Sequence, residues 1–104
     1  MKISIMRPVG PDGGDLKVSN GESVAVQDAK LVFERLTGRT TTAMPKEIVD
    51  RMGLRGISGI ETEGVKLGYM VSRTRPKEVP QVVKRFEELE PEDAILFTPP
   101  IVGG

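Results

Sequence analysis

The sequence predicts an α+β fold: a four-stranded, mainly antiparallel sheet with two to three helices, in one domain that covers residues 1–104. Two observations support this prediction. Segments in which every second residue is apolar, as in half-buried strands, are interspersed with segments in which apolar residues recur every three to four positions, as in helices. A length of 104 residues is also typical of one domain.

The predicted elements follow the order strand, helix, strand, strand, helix, strand, with a short helical extension after the first helix. This βαββαβ order is typical of the ferredoxin-like fold, in which two right-handed crossovers place the helices on one face of the sheet. The predicted elements are strand Lys2–Arg7, helix Val26–Leu36, a short helix at 45–52, strands Ile57–Thr62 and Val65–Arg75, a helix at 80–89 and strand Ala94–Thr98.

The segment between the first strand and the first helix is rich in glycine, aspartate and asparagine, and reads VGPDGGDLKVSNGES. This composition predicts a long loop with a brief extended piece at Leu16–Val18. A rival prediction, also α+β, gives the segment strands of its own. The residues alone leave both arrangements open.

The predicted core is mostly aliphatic, because the chain has only three phenylalanines, one tyrosine and no tryptophan. We expect Ile5, Phe33, Val71 and Phe86 to be buried together, because the apolar faces of the helices and the sheet must meet. Tyr69 shares a predicted strand face with Val71 and is therefore expected in the core rather than in a catalytic role.

Glycines mark the ends of the first two predicted helices. Gly38 and Gly53 each follow a helix at the position where a left-handed backbone conformation ends it. Leu54 is expected to fold back on Ile48 or Val49, as in a Schellman motif.

The absence of two residue types excludes several chemistries. A chain without cysteine forms no disulfide, thiolate nucleophile or sulfur-ligated metal site, and a chain without histidine cannot supply a Ser-His-Asp triad. Fifteen basic residues balance fifteen acidic ones, which argues against a dedicated nucleic-acid coat or a polybasic membrane anchor. No apolar run approaches the roughly 20 residues of a membrane span. We therefore predict a cytoplasmic protein without a cofactor or a membrane partner.

The glycine-rich loop Gly10–Asp15 is the first candidate site. Asp12 and Asp15 could offer carboxylates to Mg²⁺ or Ca²⁺, and they would repel a phosphate group. Two carboxylates do not complete a metal cage, and Pro-Asp-Gly-Gly is a common turn sequence. A structural turn is therefore the favoured interpretation, and a metal site is the alternative.

An acidic run at the end of the predicted third helix is the second candidate. Paired carboxylates act as general acid and base when burial or a charged partner separates their pKa values. This run lies where the predicted helix gives way to a loop, so we predict a solvated face without catalytic residues. Its members are Glu87, Glu88, Glu90, Glu92 and Asp93.

Basic residues concentrate in the middle of the chain. From Arg39 to Arg75 there are seven basic residues and four acidic ones. A local excess of positive charge can bind an anionic partner. The predicted anion contacts lie in segments 39–55 and 73–77 and are Arg39, Lys46, Arg51, Arg55, Arg73 and Arg75.

Residues 44–56, MPKEIVDRMGLRG, resemble the short helical segment of AbrB-type swapped-hairpin DNA-binding domains. The matching positions are Pro45, Lys46, Glu47, Ile48, Asp50, Arg51, Gly53 and Leu54. This resemblance implies nucleic-acid binding through the basic residues of the segment. The whole chain also resembles small conserved proteins of methanogenic archaea, which implies an archaeal cytoplasmic protein but no activity.

These observations support three hypotheses about function. The favoured one is a small, non-enzymatic binding or interaction module whose partner is a protein or an anionic ligand. The first alternative is a nucleic-acid-binding protein that uses the basic segments 39–55 and 73–77. The second is an enzyme that uses carboxylates with a divalent metal at Asp12 and Asp15.

Overall fold

The computed structural model describes residues 1–9, 15–18 and 21–100. Within these ranges the chain forms an α+β fold with two α-helices and six strands. The elements are β1 (Lys2–Val9), β2 (Asp15–Val18), β3 (Glu22–Ser23), α1 (Val26–Leu36), α2 (Lys46–Met52), β4 (Met70–Thr74), β5 (Gln81–Val82), a 3-10 turn (Phe86–Glu88) and β6 (Ala94–Thr98).

The strands form one mixed sheet in the order β2-β1-β6-β4-β5, with β3 also paired to β1. Strands β1 and β6 are parallel, and the other described pairings are antiparallel. Strand β1 is long enough to pair with β6 and β3 near its start and with β2 near its end. The first and last strands therefore lie side by side in the middle of the sheet.

The prediction of an α+β fold is confirmed, but the four-stranded sheet and the ferredoxin-like order are not matched. The main reason is the segment after β1, which forms β2 and β3 and pairs with β1, as in the rival prediction. The extended piece predicted at Leu16–Val18 is thus part of a strand. Strand β1 also continues beyond the predicted stop at Pro8.

The adjacent predicted strands Ile57–Thr62 and Val65–Arg75 do not pair as the predicted hairpin, because three carbonyl groups of this segment bond to a buried arginine instead of a strand partner. Arg35 of α1 is 1% exposed. Its guanidinium donates hydrogen bonds to the carbonyl oxygens of Gly59, Thr62 and Val65, at 2.6, 2.8 and 2.7 Å. Residues 57–64 consequently form a series of turns, and only Met70–Thr74 of the predicted second strand is a strand.

The predicted third helix is also wrong. Its first part contains the adjacent β-branched residues Val82 and Val83, which favour extended backbone, and residues 81–82 pair with β4 as strand β5. Strand geometry places neighbouring side chains on opposite faces, so Val83 is buried whereas Val82 is 62% exposed. Further along, the Glu88 carboxylate accepts hydrogen bonds from the N–H groups of Lys84 and Arg85, which stabilises a single 3-10 turn.

Helix α1 has the predicted bounds, and α2 agrees with its prediction to within one residue. Both end in a left-handed glycine, with φ of 77° at Gly38 and 67° at Gly53. The Leu54 N–H donates to the Val49 carbonyl at 2.9 Å, and the Gly53 N–H donates to Asp50. These two bonds define the predicted Schellman motif.

The core lies between one face of the sheet and the two helices. Strand residues Ile3, Ile5, Val71, Ile95 and Phe97 are at most 2% exposed and belong to one apolar cluster with the buried side chains of α1 and α2. The predicted burial of Ile5, Phe33 and Val71 is confirmed, and Phe86 packs half-buried against the cluster. The Phe33 ring meets those of Phe86 and Phe97 edge-on, with centroids 5.7 and 6.3 Å apart.

In the part of the chain that the structure describes, no helix combines the length and the apolar composition needed to cross a bilayer.

Candidate functional site

Two of the predicted anion contacts near α2 are engaged in ion pairs. Arg51 bonds to Asp28 of α1 at 2.6 Å, and Arg55 bonds to Asp50 at 2.5 Å. The Asp50 carboxylate raises the pKa of Arg55, by hydrogen bonding first and by charge second. Arg55 also accepts a hydrogen bond at its carbonyl oxygen from Arg7. These pairs reduce the positive field that the α2 region offers to an anion.

Arg75 is held by a buried carboxylate. Its guanidinium donates to both oxygens of Asp93, at 2.6 and 3.0 Å. Asp93 is 2% exposed, so the prediction that the whole acidic run is solvated is wrong at this residue. Hydrogen bonds from Arg75 lower the pKa of Asp93 against the opposing effect of burial, and the N–H of Glu90 assists them.

The other members of the acidic run serve the backbone or face solvent. Glu88 caps the 3-10 turn, and the N–H groups of Arg85 and Lys84 lower its pKa. Glu87, Glu90 and Glu92 are exposed, as predicted. The arrangement does not place two carboxylates together in a buried site of the kind that general acid–base catalysis requires.

The remaining predicted anion contacts lie on separate elements. Arg73 of β4 donates to the side-chain oxygen of Gln81 at 3.0 Å. The Arg39 guanidinium lies over the Phe33 ring, 5.4 Å from its centroid. Lys46 is exposed at the start of α2. The six predicted residues therefore contact different parts of the molecule, and three of them, Arg51, Arg55 and Arg75, are neutralised by carboxylates.

The predicted metal site falls mostly outside the described residues, because Asp12 lies in the range 10–14. Asp15 is exposed at the start of β2. Within residues 1–9, 15–18 and 21–100, no three potential ligands of the histidine, cysteine, aspartate or glutamate type come together.

A cavity of about 230 Å³ lies between α1 and the segment 40–45. It is smaller than the roughly 300–1,000 Å³ of typical ligand pockets. Most of its polar lining groups have partners: the Thr40 and Thr42 hydroxyls bond to each other at 3.2 Å, and the terminal nitrogens of Arg35 bond to three carbonyl oxygens, whereas the Arg35 Nε has no hydrogen-bond partner among the described residues. The cavity therefore offers few groups that could orient a ligand.

The second face of the sheet has no evident role in the fold of the described residues. Side chains alternate along each strand, and the registers between strands show which of them share a side. The side opposite the helices is called the open face below. Its described members are Lys2, Ser4, Met6, Leu16, Val18, Ser23, Met70, Ser72, Thr74, Val82, Ala94, Leu96 and Thr98.

The open face is apolar and exposed. It carries four of the eight exposed large hydrophobic side chains found among the described residues: Leu16 at 60%, Val18 at 47%, Met70 at 53% and Val82 at 62%. Met6 and Leu96 add two partly exposed side chains. Among the described members of this face, Lys2 alone is charged. Contiguous exposed apolar area of this kind marks interaction surfaces in soluble proteins.

The sequence contains a signal for this face in strand β6. The run AILFT is apolar at both alternating sets of positions, with Ile95 and Phe97 towards the helices and Ala94 and Leu96 on the open face. Near-continuous apolar strands are typical of sheets covered on both faces. The run of five residues predicts a short strand, but its apolar residues at both alternating sets of positions were not taken to indicate a sheet with two apolar faces.

Comparisons of the chain with protein-family models, with curated proteins and with solved structures give no match. The site must therefore be interpreted from its own residues. Together, fold and site define an α+β protein that covers one face of its sheet with helices and exposes an apolar opposite face.

Proposed function

We propose that this protein is a small, non-enzymatic interaction module and that the open face is its contact surface for a protein partner. The observation that carries the proposal is strand β6, whose side chains are apolar on both faces although the helices cover only one. A partner on the open face would complete the burial that this pattern predicts.

The energetics favour such a contact. Burying apolar surface contributes roughly 25 cal/mol per Å², and the side chains of Leu16, Met70 and Val82 each leave more than half of their surface exposed. The neutral polar members carry no charge that would need to be desolvated; they are Ser4, Ser23, Ser72, Thr74 and Thr98. A partner surface that is equally apolar therefore gains free energy without burying an unpaired charge.

Because several of their arginines form ion pairs within the protein, the basic segments 39–55 and 73–77 are less favoured than the open face as the main contact surface. A phosphate-binding surface uses several cations at once, whereas Arg51, Arg55 and Arg75 each bond to a carboxylate of the protein itself. Any binding of an anionic ligand or nucleic acid would then depend mainly on the more peripheral Arg39 and Lys46. The protein partner is for this reason ranked before the anionic one.

A photocrosslinking experiment tests the proposal. A benzophenone side chain is introduced at Ser72, in the middle of the open face, and in a second variant at the exposed Glu87 as a matched control. Both are irradiated as purified protein and in a lysate of the cells that produce the protein. We expect discrete crosslinked products from position 72 only, and their loss when Val82→Lys is added.

Equal crosslinking from both positions, or none from position 72 in either preparation, would contradict the proposal. Circular dichroism of each variant checks that the substituted proteins retain the fold.

A further inference from the structure

Resting on the proposed function, we infer that the partner of the open face is a second copy of this chain, packed face to face in a two-fold symmetric dimer. Three properties of the face support this inference: its alternation of large and small side chains, its charge and its area.

Large and small side chains alternate across the open face. The registers place Ser4, Leu96, Ser72 and Val82 side by side in one row across four strands. Leu96 therefore has a serine on each side, and along its own strand it lies between Ala94 and Thr98. Two sheets that pack face to face interdigitate their side chains, and a surface of alternating projections and depressions fits a displaced copy of itself.

The charge of the face fits the same partner. Its described residues include no carboxylate, and the single amine of Lys2 lies at one end. An acidic or basic partner would find no group of opposite sign near the centre of this face. In this dimer the two-fold axis lies in the plane of the interface and runs perpendicular to the strands, so the strands of the two copies are antiparallel. The two Lys2 side chains then lie at opposite ends of the interface and do not repel each other.

The area of the face is that of a weak, transient dimer. Five strands spaced about 4.8 Å apart span roughly 20 Å, and β1, with eight residues at about 3.3 Å each, runs for roughly 26 Å. The other four strands are shorter, with two to five residues each, so the face contributes on the order of 400 Å² per copy, or about 800 Å² in total, which lies in the range of weak, transient contacts. The dimer is thus expected to dissociate in the micromolar range.

Sedimentation velocity between about 1 and 300 μM, a range chosen for a micromolar dimer, tests the inference. The unmodified protein should shift from monomer to dimer as its concentration rises. Met70→Lys and Val82→Lys each place a charge on the open face and should weaken the dimer at least about tenfold. Leu31→Lys is the matched control, because Leu31 is comparably exposed, at 44%, but lies on α1, in the helix layer. It should leave the dissociation constant unchanged.

Each other outcome has a definite meaning. A monomer throughout this range, or a dimer that neither open-face substitution weakens, overturns the inference. The proposed function survives that result if benzophenone at Ser72 still crosslinks a different protein in the lysate, and fails with it if position 72 crosslinks nothing. Circular dichroism and the denaturation midpoint of each variant distinguish dissociation from unfolding.

Discussion

The two faces of the sheet are built from the same strands but differ in how far their side chains are exposed to solvent. Towards the helices, Ile5, Ile95 and Phe97 are at most 2% exposed. On the opposite side, Met70 and Val82 are apolar as well, yet more than half exposed. The composition of a face therefore does not decide whether it is covered within one copy of the chain. Among the described residues, the helices cover one apolar face of the sheet and leave the other exposed.

The two sides of the sheet also differ in their charged groups, because the buried charged side chains on the helix side have hydrogen-bond partners within the protein. The buried side chain of Arg35 bonds to three carbonyl oxygens, and that of Asp93 bonds to Arg75. Buried charge is tolerated where such partners exist. The open face has almost no charge to satisfy, which is what a surface needs if it is to become buried on association.

The largest expected effect is a difference in the free energy of unfolding between alanine variants of two neighbouring residues in β6. Phe97→Ala removes a fully buried ring that contacts Phe33, and should lower the free energy of unfolding by about 3–5 kcal/mol. Leu96→Ala, one residue earlier on the open face, should cost about 1 kcal/mol or less in the monomer. Urea denaturation at low micromolar concentration measures both. Equal losses would show that the two faces are equally buried, contrary to this account.

The next comparison is between the stability losses of variants at Arg35, in the last turn of α1, and at Arg39, shortly after the helix. Arg35→Met removes a buried guanidinium that bonds to three carbonyl oxygens, of which only that of Gly59 keeps a second donor, the Thr62 N–H, so we expect a loss of roughly 2–3 kcal/mol. Arg39→Met removes an exposed guanidinium over the Phe33 ring and should cost about 0.5–1 kcal/mol. The same denaturation assay compares the two variants. A larger loss for Arg39→Met would refute the role given to Arg35 in organising residues 57–65.

The two helix-ending glycines should differ in their tolerance of alanine. At Gly53 an added Cβ has no neighbour within 4 Å, so Gly53→Ala should cost about 1 kcal/mol, through its left-handed conformation alone. At Gly38 the added Cβ would lie 2.3 Å from the Leu67 carbonyl oxygen, and Gly38→Ala should therefore cost clearly more. Melting temperatures of the two variants provide the measurement. The reverse order would contradict the close approach of residue 67 to the end of α1.

The smallest predicted effect is a dependence on pH. Because Arg75 lowers the pKa of Asp93 in the folded state, the folded protein binds this proton less readily than the unfolded chain does. The resulting stabilisation is complete above the unfolded value of about 3.9 and is lost as the pH falls through the lower folded value. Between about pH 5 and pH 2, the unmodified protein should therefore lose more stability than Asp93→Asn. Parallel curves for the two proteins would show that Asp93 contributes nothing to this pH dependence.

Local signals were sufficient to predict α1, α2 and β6. The 3.6-residue period gave α1 its bounds, the apolar run gave β6, and Gly53 ended α2 as expected. These features depend on residues close together in the chain. The ferredoxin-like order was wrong because β2 and β3 pair with β1, and because a contact 24 to 30 residues distant, from Arg35 to the 59–65 carbonyls, prevents the predicted hairpin.

The candidate site was harder to predict than the fold. Arginines such as Arg51 and Arg55 have the composition of an anion site, but the sequence does not show that Asp28 and Asp50 neutralise them. The open face arises only when Leu16, Met70 and Val82, which lie far apart in the chain, come to one side of the sheet. The one signal of this face that lies in a short stretch of the described sequence is the apolar run of strand β6.

The most direct test of the central claim, that the open face is the contact surface of a symmetric dimer, is a series of two-dimensional ¹H–¹⁵N NMR spectra at increasing protein concentration. Self-association through this face predicts that amide signals of β1, β4 and β6 shift or broaden between about 20 and 500 μM, the range of a micromolar dimer, whereas those of α1 and α2 stay in place. Changes confined to the helices, or spectra that do not depend on concentration, would contradict a dimer formed through the open face.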